Sequence, residues 1–578
     1  MIDVKFNVWL DKRFGNLSLL QIANKYGIDI KLAEFYFLEN LKEIEKIRQN
    51  ILRKREMAKR KKRVPTYKQM SFDTAVRNPE RYINILTTIK DFEGKVLDDN
   101  VLLDIVSTLY LEGIVTSNEI IIDNTTTIND IKDLVIAVNS TRNADGGFPK
   151  GYQSRFWTYM RALSELGFVY ARYKKEFKLS KIAKMLINRE IDEQEAFSIQ
   201  AMKYNRKSPY RNVNNDFNFF KFILKVLLRL KEQNKSLSYE QFIIATLSKN
   251  GDIAEFLEII KNNKFKDYNV AYNFIKEHYS LTTNYKTTMK DYPDVIRRFF
   301  IISGFITIKY SGKKLIQINE NKLDYIKEIC NVDFDLTDEE KKNEILFFKK
   351  FDKFTNIFLD IAYRYREQDK IKGDIYTKQL YSIIEDYKIT EKIIVESIEK
   401  IGSKTTVVDE FKEIPEPLKL EFFISILIAL KYKDKFIIRP NYKADHIGKP
   451  YSHAPGNTGD IEVFSKTLYW LIEVTLIRNK TQQLNHETTS VIRHLFSNEE
   501  FANHFIKYLS FIAPQIHQDT KEFFDYQIVK SKSDKYDVYI KPYSIKDFIN
   551  IILKSDILED MNKYTQEIIY DFKSKLDC

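Results

Sequence analysis

The 578-residue sequence predicts a multidomain protein, mainly α-helical, that closes with an α/β domain. Three observations carry this reading. The chain is too long for one hydrophobic core, and three or four domains are expected. Hydrophobic residues make up 44% of it, ample for packed interiors. Helical segments dominate upstream of Pro415 and Pro417, whereas helices and short strands alternate after them.

Composition excludes several classes. Cys330 and Cys578 are far apart, which argues against a disulfide framework and a cysteine zinc site. No N-terminal apolar run reads as a signal peptide, and no uninterrupted run of about 18 apolar residues would span a membrane. A cytoplasmic protein without a membrane partner is expected. The net charge of +12 is uneven, with about +9 of it in residues 1–70. A second basic stretch runs from Arg142 to Arg189. A polyanion partner explains such clustering, because lysines and arginines that neutralise phosphates release counterions. A solubilising charged face is the alternative.

Residues 1–65 form an N-terminal helical extension. Leu17-Ser-Leu-Leu-Gln-Ile-Ala23-Asn-Lys-Tyr-Gly27-Ile28 has the small residue and turn glycine of a helix-turn-helix, or of an ordinary helical hairpin. A long helix with a basic end, Arg53-Lys-Arg and Lys59-Arg-Lys-Lys-Arg63, should follow and stop at Pro65. Two later segments share a layout of helix, glycine stop, strand, turn, strand, helix. One runs from Arg155 through Gly167 and Phe177 to Ile187, within a subdomain at 66–200. The other runs from Val295 through Gly304 and Gly312 to Ile329, within a subdomain at 201–335. This is the winged-helix order, in which a helix enters the major groove and the hairpin touches the backbone. A generic α+β module is the alternative.

Candidate DNA contacts are Arg142, Asn143, Lys150, Gln153, Arg155 and Arg161 in the first unit, with Arg297, Asn212 and Asn214 in the second. Affinity comes from phosphates and specificity from few base-edge contacts, so most of these would be phosphate contacts. Residues 336–410 are highly charged and helical, a linker with no identifiable chemistry.

Residues 411–578 read as helix 418–431, strand 435–439, loop 440–459, hairpin 460–476, helix 482–497, strand 507–513, helix 519–527, strand 536–541 and helix 545–555. The chemistry gathers here. With a tight turn at Ser465-Lys466, Asp460 faces Leu471, and Glu473 is its diagonal neighbour on the same sheet face. Two carboxylates on one face repel unless a cation lies between them, which suits a metal-dependent phosphodiesterase. Glu421 sits in an otherwise apolar helix, where burial is costly without a cation or donors. Glu487 and His494 are seven apart on the next helix and share a face. His453 lies in the loop entering the hairpin. Taken singly, an exposed edge for Glu421 and surface positions for Glu487 and His494 are the alternatives; jointly the set is harder to dismiss.

The order resembles the PD-(D/E)xK nuclease core, in which an Asp and a Glu on adjoining strands bind the metal. It departs at Thr475, where the lysine that polarises the attacking water usually stands; Lys480 and His494 are the candidate substitutes. His453-Ala-Pro-Gly-Asn457, Asp460, Glu473-Val-Thr475 and Glu487-Thr-Thr-Ser-Val-Ile-Arg493-His494 together resemble the AlwI-type group of type IIS restriction and nicking endonucleases. Arg77-Asn-Pro-Glu-Arg81, Gly167-Phe-Val and Ile182-Ala-Lys-Met-Leu resemble that group's recognition half. The resemblance covers most of the chain from about residue 66.

It implies a C-terminal PD-(D/E)xK-like nuclease domain aimed by separate recognition domains at a short asymmetric site in double-stranded DNA. Asp460, Glu473 and the Val474 carbonyl would hold Mg²⁺ (Mn²⁺ as substitute), with Glu421 at a second position and Glu487 and His494 in support. It further implies one active site per monomer, so that cutting the second strand needs a homodimer or a small second subunit. A cognate DNA methyltransferase would act in the same system. A DNA-binding regulator with a degenerate nuclease domain is the competing reading, supported by Thr475, and an RNA-directed or repair nuclease is a third.

Overall fold

The computed structural model describes residues 18–38, 72–116, 120, 122, 126–142, 151–211, 213, 215–279, 287–371, 373–403, 405–433, 435–454, 458–478, 480, 483–497, 506–533 and 537–576. The side chains of 138–142, 151, 367–371, 373–377, 485–487, 497, 532 and 533 lie outside that description. The basic segment Arg53–Arg63, Asn143, Lys150, Asn212, Asn214 and the side chains of Arg142 and Glu487 therefore fall outside the described residues.

The chain divides into two units, residues 1–67 and 68–578. In the first, the helix Leu19–Tyr26 starts at a capping box made by Ser18 and Gln21. It ends at Gly27, whose φ of +61° is the left-handed conformation that glycine adopts without a Cβ penalty. A second helix covers 30–38, and Ile22, Ala23 and Ala33 form a small core between the two.

In the second unit, one continuous core runs from Phe72 to Ala362 and takes in Tyr451. Aromatic rings fill its centre edge to face, as where Tyr82 meets Phe197 at 5.6 Å and 90°. Both helix–hairpin–helix segments lie on it. The first comprises the helix Gly151–Glu165, strands β1 (Val169–Tyr170) and β2 (Lys178–Leu179), and the helix Lys181–Ile187. Phe156, Tyr159, Met160 and Leu163 face the core at helical spacing. The second comprises the helix Tyr292–Ile302, β4 (Ile306–Tyr310), β5 (Lys314–Ile318) and the helix Leu323–Cys330. Its hairpin gains a third strand, β3 (Leu237–Ser238), on the β5 edge.

The two glycine stops are alike. Gly167 has φ +72° and Gly304 φ +68°, and each is packed by an aromatic ring from downstream. A Cβ on Gly167 would lie 2.2 Å from Phe351, and one on Gly304 would lie 2.8 Å from Tyr451.

The C-terminal α/β domain is a mixed five-stranded sheet in the order β12-β11-β10-β9-β6, formed by Asp537–Ser544, Ile506–Ala513, Leu468–Val474, Ile461–Phe464 and Ile437–Pro440. β10, β11 and β12 run parallel, while β9 is antiparallel to both β10 and β6. The helix Glu416–Tyr432 is buried on nearly every side, as its unbroken Leu, Phe and Ile content requires. The loop expected at 440–459 contains a small hairpin, β7 (Lys443–Ala444) and β8 (Pro450–Ser452). The helix expected at 482–497 begins as a π-helical turn, Gln483–Thr488, before the α-helix Thr489–Ser497. A closing helix, Ile557–Leu576, covers Tyr508 and Tyr543 through Asn562 and Asp560.

The second helix–hairpin–helix segment docks on the C-terminal domain. His446 Nδ1 lies 3.1 Å from Thr307 Oγ1, Gln194 and Asp192 hold Lys443, and Lys449 bonds both Glu410 and the Ile308 carbonyl. Arg297 is buried between Asp294 and Glu413. It was expected to face DNA; its guanidinium instead closes an interior ion pair, since a buried arginine needs acidic partners.

Candidate active site

The β9–β10 register differs from the expected one. Phe464 pairs with Tyr469 and Ile461 with Ile472, so the turn centres on Lys466-Thr467. The ladder extended by one position sets Asp460 directly opposite Glu473 instead of diagonal to it. Two backbone features hold Asp460 there. Asn441 N–H donates to the Asp460 carbonyl at 2.9 Å, and its side-chain amide donates to the Gly459 carbonyl at 2.9 Å. The Val474 N–H donates to Asp460 Oδ2 at 2.9 Å, tying the first acid to the residue after the second. Gly459 permits this approach: a Cβ there would lie 2.1 Å from Leu471 and 3.2 Å from Glu473 Oε1.

Glu421 is 2% exposed, which settles its position in favour of the interior. His453 Nδ1 hydrogen-bonds its Oε1, while its Oε2 is buried without a hydrogen-bond partner. Glu473, 6% exposed, is likewise met by a histidine, with His494 Nδ1 at 2.7 Å from its Oε1. Asp460, Glu421 and Glu473 are close enough to repel. Burial, then the charges of Glu421 and Glu473, push the Asp460 carboxyl well above the usual carboxylate range, against the Val474 N–H and His453. Burial lowers the His453 pKa, but Glu421, followed by Glu193 and Asp460, overcomes this and raises it to about 10.

The structure thus brings Glu421, Asp460, Glu473 and His494 together. It adds His453, which the sequence showed only as a loop histidine among six clustered between 446 and 517. Glu193, on the helix Glu193–Lys203, also reaches the site: burial pushes its carboxyl up to about 7, with His453 opposing and Glu80, Asp192 and Glu421 assisting. No sequence signal marked Glu193, because the contact joins elements remote in the chain. Glu80 does lie in the Arg77–Arg81 motif. Lys480, a candidate water activator, instead pairs with Asp519 at 2.7 Å.

The donor set suits a hard divalent cation. Crowded carboxylates, one with a buried oxygen lacking a partner, are relieved by positive charge. Among the described residues no three His, Cys, Asp or Glu side chains converge as a ready metal cage. An ion held by two carboxylates, a backbone carbonyl and waters fits this better than one enclosed by side chains.

Of the candidate DNA contacts, Arg161 is exposed on the first unit's helix, and Gln153 and Arg155 are half-buried. The Arg155 guanidinium lies 5.8 Å from the Tyr159 ring. No helix among the described residues is long and apolar enough to cross a membrane.

Three solved structures are similar to parts of the chain. The small subunit of the heterodimeric restriction endonuclease R.BspD6I shares 21% identity over 31% of this chain and 86% of its own, at a TM-score of 0.22. The BpuJ1 endonuclease binding domain, solved with modified DNA, shares 14% over 47% and 90%, at 0.29. Restriction endonuclease FokI shares 11% over 83% and 95%, at 0.21. No curated protein matches the chain. The family model for the AlwI restriction endonuclease matches residues 164–351 and 360–551, a span that holds Glu421, Asp460, Glu473 and both histidines. The chain belongs to the AlwI restriction endonuclease family and is a site-specific deoxyribonuclease.

Proposed function

We propose that the chain is a type IIS restriction or nicking endonuclease. It binds a short asymmetric duplex site and hydrolyses a phosphodiester a few base pairs outside it, using Mg²⁺. The observation that carries this is Asp460 set opposite Glu473 on one sheet face, with Glu421 buried beside them.

In this reading the C-terminal domain is a PD-(D/E)xK-like nuclease. Asp460, Glu473 and the Val474 carbonyl would hold Mg²⁺, and Glu421 would hold or orient a second ion. When bound, Mg²⁺ would lower the pKa of a water for attack and would offset charge on the leaving 3′-oxygen. The protein's own groups position the rest. His494 fixes Glu473 and stands nearest to the task left open by Thr475. Glu487 supports from the π-helical turn.

The first helix–hairpin–helix unit acts as a winged helix on DNA. Arg155, Arg161 and Gln153 contact the duplex, with the Arg142 side chain, Asn143 and Lys150, outside the described residues, as further candidate contacts. A second copy or a small second subunit cuts the other strand, and a cognate methyltransferase protects the site. Thr475 favours one competing reading, a DNA-binding regulator with a degenerate nuclease domain.

Run-off sequencing of both strands after incubating plasmid with the protein and Mg²⁺ separates the two. Discrete ends at a fixed offset support the nuclease; a retarded but uncut plasmid supports the regulator.

A further inference from the structure

Two glutamates of the candidate site are held in the same way. Each gives Oε1 to the Nδ1 of a histidine, Glu473 to His494 and Glu421 to His453. His494 rides on the helix that follows the hairpin, so its partnership is internal to the α/β domain. His453 is placed differently. It follows β8, in the hairpin that the upstream core grips. Tyr451, two residues before it, is buried in that core against Gly304. Lys443, paired across the hairpin with Ser452, bonds Asp192 Oδ2 at 2.5 Å and Gln194 Oε1 at 3.1 Å. These two residues flank Glu193 at the start of one upstream helix. Glu193 itself lies within electrostatic reach of His453 and Glu421, as does Glu80 of His453.

From this geometry we propose that His453 is a positioning residue for Glu421, and that the upstream half holds its loop in place through Tyr451 and the Asp192–Lys443 ion pair. The proposal rests on the nuclease reading above and deepens it. The imidazole fixes one oxygen of Glu421 and leaves Oε2 buried without a hydrogen-bond partner, where it would serve a bound cation. Groups that orient carboxylate ligands in this manner set metal affinity. Because the brace on His453 comes from the half that binds DNA, the position of one catalytic acid depends on how that half is seated. Asn441, Val474 and His494, which hold Asp460 and Glu473, belong to the same domain as those two acids.

The test measures Mn²⁺ binding to the full-length protein by calorimetry without DNA, with gel-shift binding to the cognate site as the check on folding. His453→Ala should weaken Mn²⁺ binding about tenfold to a hundredfold while leaving the gel shift unchanged. His453→Asn places an amide N–H where Nδ1 stood and should recover most of the loss. Asp192→Asn, which keeps the helix cap, should give a smaller loss in the wild-type background and no further loss when added to His453→Ala, as expected of residues acting in series. Wild-type Mn²⁺ affinity in His453→Ala would overturn the positioning role. Full additivity of the two substitutions would overturn the brace from Asp192. Wild-type protein that binds Mn²⁺ but leaves DNA uncut would contradict the nuclease reading and not this one.

Discussion

The two helix–hairpin–helix units share one layout and differ in what their leading helices face. In the first, Arg161 is exposed and Arg155 half-buried on the leading helix, and the hairpin turn from Arg172 to Glu176 is exposed. In the second, Arg297 on the corresponding helix is buried between Asp294 and Glu413. The strand β4 of the second hairpin is also engaged, the Tyr310 hydroxyl bonding Glu413 at 2.6 Å and Thr307 meeting His446, while its turn at Ser311–Lys313 is exposed like the first. The first unit keeps its positive charge in solvent, where phosphates can use it. The second spends its charge on acids of 409–413 and serves as a seat for the C-terminal domain. A shared element order therefore does not imply a shared partner; the acids supplied from downstream decide.

The comparison breaks first at Arg297. Arg297→Ala should cost about 3 kcal/mol of stability, toward the lower end for a broken buried pair because Lys314 remains on Glu413. The loss would be read as a fall in Tm, with the salt dependence of DNA binding unchanged. A reduced salt slope would return Arg297 to the DNA surface.

The glycine stops give the next largest effect. A Cβ at either Gly304 or Gly167 meets an aromatic ring under 3 Å away at positive φ, so alanine at each should cost about 1–3 kcal/mol. The functional outcomes should differ. Gly304→Ala pushes on Tyr451 and should lower cleavage with site binding kept. Gly167→Ala pushes on Phe351 beneath the first unit and should lower site binding itself. Gel shifts and single-turnover cleavage separate these outcomes.

Arg161→Ala should weaken DNA binding by about 1 kcal/mol and reduce the salt slope by about one, with Tm unchanged. A pH dependence at the seat is a separate outcome. The Glu193 carboxyl stands at about 7 in the folded protein, above its ordinary 4.5. The folded state then binds the proton more tightly, so this group's contribution is full below pH 4.5 and is lost as pH rises through 7. Glu193→Gln should flatten that part of the stability profile in chemical denaturation across pH 5–8.

Much of the α/β domain was legible because burial and periodicity agree there. The helix Glu416–Tyr432 and strands β6, β9 and β10 match apolar runs bounded by Pro, Asn and Gly. Glu421 stood out because a carboxylate in an apolar helix demands a partner. The register of β9 and β10 did not follow, since a shift of one residue in the turn leaves the apolar pattern intact. The π-helical turn at Gln483–Thr488 was equally hidden, because one extra residue per turn leaves no compositional mark. Arg297 and Glu193 were misread or missed for a different reason. Their partners lie far along the chain, and only the packed core brings Glu413 to one and His453 to the other.

The most direct test of the central claim compares wild-type protein with Glu473→Ala on plasmid DNA in Mg²⁺. The account predicts discrete cleavage products for the wild type, and for the variant a retarded, uncut plasmid with unchanged site affinity. Continued Mg²⁺-dependent cleavage by Glu473→Ala would contradict the assignment of the Asp460–Glu473 pair as the metal-binding centre.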